Sequence, residues 1–189
     1  MAEQPFIVGI GGTTRAESGT ELAVRFVLKE CEARGARTKL WAGADLAELP
    51  FYAPERPERT AEAQQLIEDL RAADGVVIGS SSYHGSVAGL MKNALDYTQD
   101  MMKDDRPYFA GRPVGCIATG AGWQGVVATL EHLRTIVHSL RGWPTPLGAA
   151  INTLEKAFTP EGDPIDEKIA FQLRTVADEV VTFVERWKG

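Results

Sequence analysis

The chain has 189 residues, of which 44% are apolar and 24% charged, and this balance excludes a disordered or low-complexity protein. A formal net charge of −6 argues against binding to duplex nucleic acid or to an anionic membrane surface. No apolar run reaches the ~20 residues of a membrane helix, no signal peptide is recognisable, and Cys31 and Cys116 lack disulfide or metal-site spacing. We therefore expect one domain over residues 1–189, in a reducing cytoplasm.

Short apolar runs alternate along the chain with longer amphipathic segments. In chain order, the first half predicts a strand over 6–10, a helix over 18–34, a strand over 38–42, a proline-containing loop over 43–59, a helix over 60–73 and a strand over 76–78. The second half predicts a helix over 87–99, a loop over 100–112, a strand over 113–118, a helix over 126–140, a strand over 147–151, a polar loop over 152–164 and a last helix from about residue 166.

This alternation of strands and helices predicts an α/β protein with a parallel sheet that is covered by helices on both faces. The nearly all-apolar strands agree with such double coverage. In open parallel sheets, ligands bind beyond the carboxyl ends of the strands. The loops after the first, third and fourth predicted strands are therefore the places to look for a site.

The loop after the first strand, residues 11–20, combines glycines, hydroxyls and one arginine at the start of a helix. Backbone N–H groups and the positive helix end favour a phosphate monoester, and Arg15 can bind two phosphate oxygens at once. The alternative is that Ser18 or Thr20 merely caps the helix and the glycines form a turn. The loop lacks a Walker Gly-Lys-Ser/Thr, and Thr14 stands where a dinucleotide fingerprint needs its third glycine, so a mononucleotide is favoured.

Two further loops follow the third and fourth predicted strands. Residues 79–86 place Tyr83 among glycines and serines, and residues 119–125 place Trp123 among glycines. Either loop alone is a common turn, and Trp123 alone fits packing as well as ligand contact, but together they predict a slot for a phosphorylated flat ring. The three histidines lack metal-ligand spacing and no Gly-x-Ser-x-Gly elbow is present, so we expect the chemistry to reside in a bound cofactor rather than in protein side chains or a metal.

Three stretches carry a resemblance to a known family. They are Gly12-Thr13-Thr14-Arg15 with Ser18, Tyr83-His84-Gly85-Ser86 with Leu90–Asp96, and Thr119-Gly120-Ala121-Gly122 with Leu130–Arg134. In order and spacing they resemble the NAD(P)H-dependent FMN reductases, which include related quinone, azo-dye and chromate reductases. The resemblance covers about residues 6–151, and Ser81 departs from it because proline is usual there.

The resemblance implies a three-layer, flavodoxin-like α/β fold whose five-stranded parallel sheet has the order 2-1-3-4-5. It implies FMN, as bound cofactor or as substrate, with NADPH or NADH as electron donor. The residues implied to hold the phosphate are Thr13, Arg15, Ser18, Gly19 and Thr20. Those implied to line the ring are Ser82, Tyr83, His84 and Gly85 on one side and Thr119, Gly120, Ala121 and Gly122 on the other. Trp123 is not general to the family, and we expect it as an apolar wall from its place in the loop alone.

The same resemblance implies a homodimer or homotetramer, with the helix that carries Lys92 and Asp96 at a subunit contact; a solvated helix face is the alternative for that pair. The expected activity is hydride transfer from a nicotinamide to FMN, with a partner monooxygenase as one recipient of the reduced flavin. Three alternatives stay open: a quinone or azo reductase with tightly held FMN, a flavodoxin-type electron carrier, and a flavin-free scaffold.

Overall fold

The computed structural model describes residues 4–188. Within them the strands are β1 (Phe6–Gly11), β2 (Arg37–Ala42), β3 (Gly75–Tyr83), β4 (Ser86–Val87), β5 (Pro113–Gly120), β6 (Trp143–Pro144) and β7 (Ala149–Asn152). The α-helices are α1 (Gly19–Ala33), α2 (Gly43–Ala47), α3 (Ala61–Ala72), α4 (Gly89–Asp96), α5 (Trp123–Ser139) and α6 (Glu167–Lys188), and a 3₁₀ helix covers Tyr97–Met101. None of the helices in this part of the chain is long and apolar enough to cross a membrane.

The sheet runs β2-β1-β3-β5 in parallel, and its last position is shared by β6 and β7, which both pair with β5. This is the predicted order 2-1-3-4-5, but the sheet has seven strands instead of five. One additional strand arises because residues 143–152 pair with β5 in two pieces, interrupted around Pro146, which has no N–H to donate to the ladder. The other is β4, a two-residue antiparallel return against the end of β3.

Helices cover both faces of the sheet because successive apolar residues of a strand point to opposite sides. Ile7 and Val77 face the layer formed by α1 and α6. Val8 and Ile78 face the layer formed by α3, α4 and α5. All four side chains are fully buried, so the predicted three-layer architecture is confirmed.

The segment 43–59, predicted to be a loop, begins with the short helix α2. The Asp45 carboxylate accepts the Ala42 N–H at 2.8 Å at the start of this helix, and Leu46 is buried against the core. The three prolines on which the loop prediction depended all lie after α2. The predicted helix over 87–99 is α4 followed by the 3₁₀ helix.

The segment 100–112 ends at the amino-terminal edge of the sheet, held there by the buried side chain of Arg112. Its guanidinium donates to the backbone carbonyls of Arg71 and Ala73, at the end of α3, and of Tyr108, at 2.7–2.9 Å. Burial lowers the pKa of Arg112 to about 9, so the side chain is still charged at neutral pH. This end of the segment lies on the side of the sheet opposite to the carboxyl ends of the strands.

Candidate active site

A cavity of about 710 Å³ lies at the carboxyl edge of the sheet. It is lined by the loop after β1, the last residues of β3, the end of β5 with Ala121 after it, and the loop after β7. Its size falls within the range of small-molecule sites. The cavity therefore lies at the edge that the sequence predicts for ligand binding.

The loop after β1 presents a helix N-terminus and one guanidinium to this cavity. Ser18 caps α1, since its hydroxyl accepts the Glu21 N–H at 3.3 Å, so the capping interpretation of Ser18 is confirmed. The N–H groups of the first helical turn, at Gly19 and Thr20, have no partner within a helix and carry its positive end. The Thr13 hydroxyl accepts the Arg15 N–H at 3.2 Å, and the exposed Arg15 side chain lines the cavity. An anion is the ligand that this arrangement favours.

A close backbone contact with the start of α2 holds this loop. Gly12 has a φ of +138°, a conformation that L side chains rarely adopt. A Cβ atom on Gly43 would lie 1.9 Å from the carbonyl oxygen of Thr13 and 2.5 Å from its nitrogen. Position 43 therefore has to be glycine for Thr13 to stay where it is. The sequence prediction missed Gly43, although a glycine directly after a strand end was a signal.

The loop after β3 is a tight hairpin that joins β3 to β4. His84 and Gly85 occupy its two central positions with φ values of 52° and 75°, as a type I′ turn requires. Tyr83 lines the cavity and is 58% exposed. The Ser82 hydroxyl accepts a hydrogen bond from Thr129 Oγ1 at 2.9 Å, which ties the hairpin to α5.

The loop after β5 forms hydrogen bonds with two other parts of the site. Thr119 Oγ1 lies 2.5 Å from Thr20 Oγ1 in α1, and both residues are buried. The Gly122 N–H donates to Asn152 Oδ1 at 3.0 Å, and the Gly120 carbonyl accepts the Thr153 N–H at 2.8 Å. The amide of Gly122 therefore serves to join this loop to the end of β7.

The loop after β7 forms a wall of the cavity that the sequence analysis left unassigned. Residues 153 and 155–160 all line the cavity, among them the buried Phe158 and the exposed pair Glu155 and Lys156. Because β7 is parallel to β5, its carboxyl end lies at the same edge. Applying the strand-end rule to all the parallel strands would have included this loop.

Ten of the fourteen predicted site residues line the cavity, and four do not. Those that line it are Thr13, Arg15, Ser18, Gly19, Thr20, Ser82, Tyr83, Thr119, Gly120 and Ala121. Those outside its lining are His84, Gly85, Gly122 and Trp123. Trp123 begins α5 and is 58% exposed, so it neighbours the loop after β5 without walling the cavity.

The cysteine thiols supply no nucleophile to the site. Cys31 and Cys116 are both buried, and burial raises the pKa of each thiol to about 12. A thiol with such a pKa stays protonated at neutral pH. Within residues 4–188, no group of three or more His, Cys, Asp and Glu side chains is arranged to hold a metal ion.

The order of the sheet and its two helical layers define a flavodoxin-like fold, and solved structures agree on it. FerB, a flavoenzyme NAD(P)H:(acceptor) oxidoreductase from Paracoccus denitrificans, superposes with a TM-score of 0.76 at 21% identity, covering 97% of this chain and 98% of that one. An NADH:FMN oxidoreductase in its apo form superposes with a TM-score of 0.71 at 20% identity, covering 97% of this chain and 90% of that one. A flavodoxin from Streptococcus pneumoniae superposes with a TM-score of 0.62 at 12% identity, covering 95% of this chain and 99% of that one.

The sequence profile of one family, described as NADPH-dependent FMN reductase, matches residues 5–155. The chain belongs to this family. Among curated proteins, the FMN-dependent NADPH-azoreductase of Staphylococcus aureus is 30% identical over 184 residues, covering 92% of each chain. The predicted family, the flavodoxin-like fold class, the class of NAD(P)H-dependent flavin oxidoreductase, and FMN with a nicotinamide donor are thereby confirmed.

The residues at the cavity fit FMN. The helix N-terminus and Arg15 suit its phosphate. One lining residue also offers an unused polar group: Ser81 is 9% exposed, and its hydroxyl has no hydrogen-bond partner in the part of the chain that the structure describes. Buried hydroxyls are usually paired, and a hydroxyl that lines a ligand cavity can be paired by the ligand.

Proposed function

We propose that FMN binds in the cavity at the carboxyl edge, with its phosphate at the N-terminus of α1, and that NADPH or NADH reduces it there. The observation that supports this most is the convergence of the α1 N-terminus, Arg15, the carboxyl ends of β3 and β5 and the loop after β7 on one cavity of about 710 Å³. When bound, FMN supplies the redox chemistry by accepting a hydride from the nicotinamide and passing electrons to an acceptor. Family membership agrees with this activity.

The loop after β1 holds the phosphate in this proposal. The N–H groups of Gly19 and Thr20 donate to phosphate oxygens, and the Arg15 guanidinium neutralises their charge. The hydroxyl of Ser18 fixes the first turn of the helix, and that of Thr13 fixes the backbone of residue 15. These two hydroxyls act by holding the donors in position.

The ring lies between the hairpin after β3 and the loop after β5. Ser82 and Tyr83, which line the cavity, would contact one side of the ring, and the turn residues His84 and Gly85 complete the hairpin outside the lining. Residues 119–121 also line the cavity and would hold the polar edge of the ring, with Gly122 and Trp123 next to them in the chain but outside the lining. Backbone donors aimed at that edge stabilise negative charge as it develops there.

The nicotinamide and the final acceptor use one slot in turn, beside the exposed Tyr83. Holding two rings within ~3–3.5 Å of each other in the reactive orientation is the main contribution of the protein. With FMN bound throughout, a two-substrate steady-state analysis gives parallel double-reciprocal lines. Intersecting lines would contradict a shared slot.

The variant Arg15→Ala tests the phosphate site. Loss of a charge-assisted pair weakens FMN binding by about 10- to 100-fold, measured by quenching of flavin fluorescence, with an unchanged far-UV circular dichroism spectrum. Arg25→Ala is the matched control, because Arg25 lies on α1 but pairs with Glu21 outside the cavity lining. Equal FMN affinity in Arg15→Ala and Arg25→Ala would remove Arg15 from the site.

The azoreductase at 30% identity favours a second candidate, an azo or quinone reductase with tightly held FMN. The two candidates differ in the strength of FMN binding. A purified protein that stays yellow through gel filtration supports the second candidate. A colourless protein that oxidises NADPH only when FMN is added supports flavin supply, with a monooxygenase as the partner.

The remaining proposals concern the setting of the protein. We propose a single FMN-binding domain over residues 1–189, acting in the cytoplasm as a homodimer or homotetramer. Lys92 and Asp96 on α4 form an exposed ion pair at 2.5 Å, and the α4 surface is the proposed subunit contact. Light scattering after gel filtration tests this: Lys92→Glu shifts the mass towards the monomer, and an unchanged mass places the contact elsewhere.

A further inference from the structure

One buried hydroxyl at the cavity has no hydrogen-bond partner in the described part of the chain. Ser81 lies near the end of β3, is 9% exposed and lines the cavity. Its Oγ atom is shielded from solvent and, within residues 4–188, forms no hydrogen bond. A buried hydroxyl without a partner destabilises the folded chain, because its hydrogen bonds to water have been lost.

The serines on either side of Ser81 show what ordinary pairing looks like in this strand. The Ser80 hydroxyl accepts the Ala88 N–H and donates to the Ser81 carbonyl, both at 3.0 Å. The Ser82 hydroxyl accepts from Thr129 Oγ1. Of these three consecutive serines, only Ser81 has no side-chain hydrogen-bond partner among residues 4–188.

The register of the sheet shows which part of the cavity the Ser81 side chain faces. Side chains alternate along a strand, so Ser81 shares a face with Gly79, where an added Cβ would meet Val24 and Thr20 of α1. Ser81 also pairs with Thr119 in the neighbouring strand β5. Its hydroxyl therefore belongs to the side of the cavity where α1 begins.

The hydroxyl of Thr119, the register partner of Ser81, is already paired with the hydroxyl of Thr20 in α1. Thr119 Oγ1 and Thr20 Oγ1 lie 2.5 Å apart, and both residues are buried. This pair leaves Ser81 as a hydrogen-bond donor that is available beside the first turn of α1. That turn is where the proposed function places the phosphate end of FMN.

We propose that the Ser81 hydroxyl donates a hydrogen bond to the polar tail of bound FMN, at the phosphate or the adjoining ribityl chain. The inference rests on the proposed function, because it takes FMN as the occupant of the cavity. Ser81 is then a cofactor-binding residue. Its unpaired hydroxyl destabilises the apoprotein, and the binding of FMN offsets this destabilisation.

The test compares Ser81→Ala with Ser80→Ala, a neighbouring hydroxyl that is fully paired within the protein. FMN binding is titrated by fluorescence quenching, and the melting temperature of each apoprotein is measured. Ser81→Ala raises the Kd for FMN by about 10- to 100-fold and leaves the apoprotein melting temperature unchanged or higher, because an unpaired buried group is removed. Ser80→Ala lowers the apoprotein melting temperature, because it leaves the Ala88 N–H without its acceptor.

A parallel titration with riboflavin, which lacks the phosphate, shows which part of FMN accepts the hydrogen bond from Ser81. A loss of affinity for FMN alone places it at the phosphate, and a loss for both flavins places it at the ribityl chain. A Kd for FMN within twofold of wild type, or an apoprotein as destabilised as Ser80→Ala, overturns the assignment of Ser81. Absence of FMN binding by the wild-type protein overturns the proposed function instead, so the two failures are distinguishable.

Discussion

Replacing Gly43 by alanine tests whether the start of α2 positions the loop after β1. The added Cβ would lie 1.9 Å from the Thr13 carbonyl oxygen, whereas real Cβ contacts are essentially never under 3.0 Å. Thr13 therefore has to move by about 1.1 Å, and it cannot yield by rotating a side chain because the clash is with backbone atoms. Overpacking of this kind costs about 1–3 kcal/mol, which corresponds to about a 5- to 150-fold loss of affinity if FMN binding requires the original loop.

The assay is a fluorescence titration of FMN and riboflavin against Gly43→Ala, with Gly89→Ala as the control. Gly89 also begins a helix, but a Cβ there would meet nothing within 4 Å. We expect Gly43→Ala to lose affinity for FMN more than for riboflavin, because the displaced loop binds the phosphate, and Gly89→Ala to bind both as wild type does. An FMN Kd for Gly43→Ala within twofold of that for Gly89→Ala would refute the positioning argument.

Three further variants test the fold and the rim of the site. Arg112→Met removes three hydrogen bonds and leaves the backbone carbonyls of Arg71 and Tyr108 without this donor, while the Ala73 carbonyl keeps its hydrogen bond from Arg106, so the free energy of unfolding in urea falls by about 3–5 kcal/mol; a fall under 1 kcal/mol would contradict this role. Hydrogen bonds from Arg59 hold the pKa of Asp100 below its ordinary value of 3.8, so the carboxylate stabilises the fold above pH 3.8 and the effect is lost as the pH falls through the lowered pKa. Asp100→Asn therefore lowers the melting temperature by about 2–4 °C at pH 7 and by less below pH 3.8, and a difference independent of pH would count against the pair. Trp123→Ala keeps the FMN Kd within twofold of wild type, because this exposed ring lies outside the cavity lining, and a weakened FMN Kd would place it against the cofactor.

Elements with a long periodic pattern were predictable from sequence. The apolar run at the start of the chain is β1, and the helical stripes that end near Leu140 and Trp187 are α5 and α6. These patterns are readable because burial of one helix face imposes a helical period on the apolar residues, and burial of both strand faces gives a continuous apolar run. The loop after β1 was equally recognisable, because a helix N-terminus beside glycines, hydroxyls and an arginine is a local feature.

The short helix α2 could not be predicted from a periodic pattern of apolar residues. Five residues are too few to show a helical period, and the prolines that follow masked it. The strand predicted over 147–151 corresponds to β7, and the two-residue strand β6 was missed for a similar reason, because it is defined only by its pairing with β5.

The site itself was decided by tertiary structure. The pairing of Thr20 with Thr119 joins residues 99 positions apart, and the contact of Gly43 with Thr13 depends on how β2 lies beside β1. The hydroxyl of Ser81 is one of three in a row by sequence, and only the register of β3 against β5 leaves it unpaired at the cavity. Local composition determined which loops could bind an anion. The arrangement of the strands determined which polar groups of those loops can bind a ligand, because hydrogen-bond partners distant in sequence are brought together only by the packed sheet.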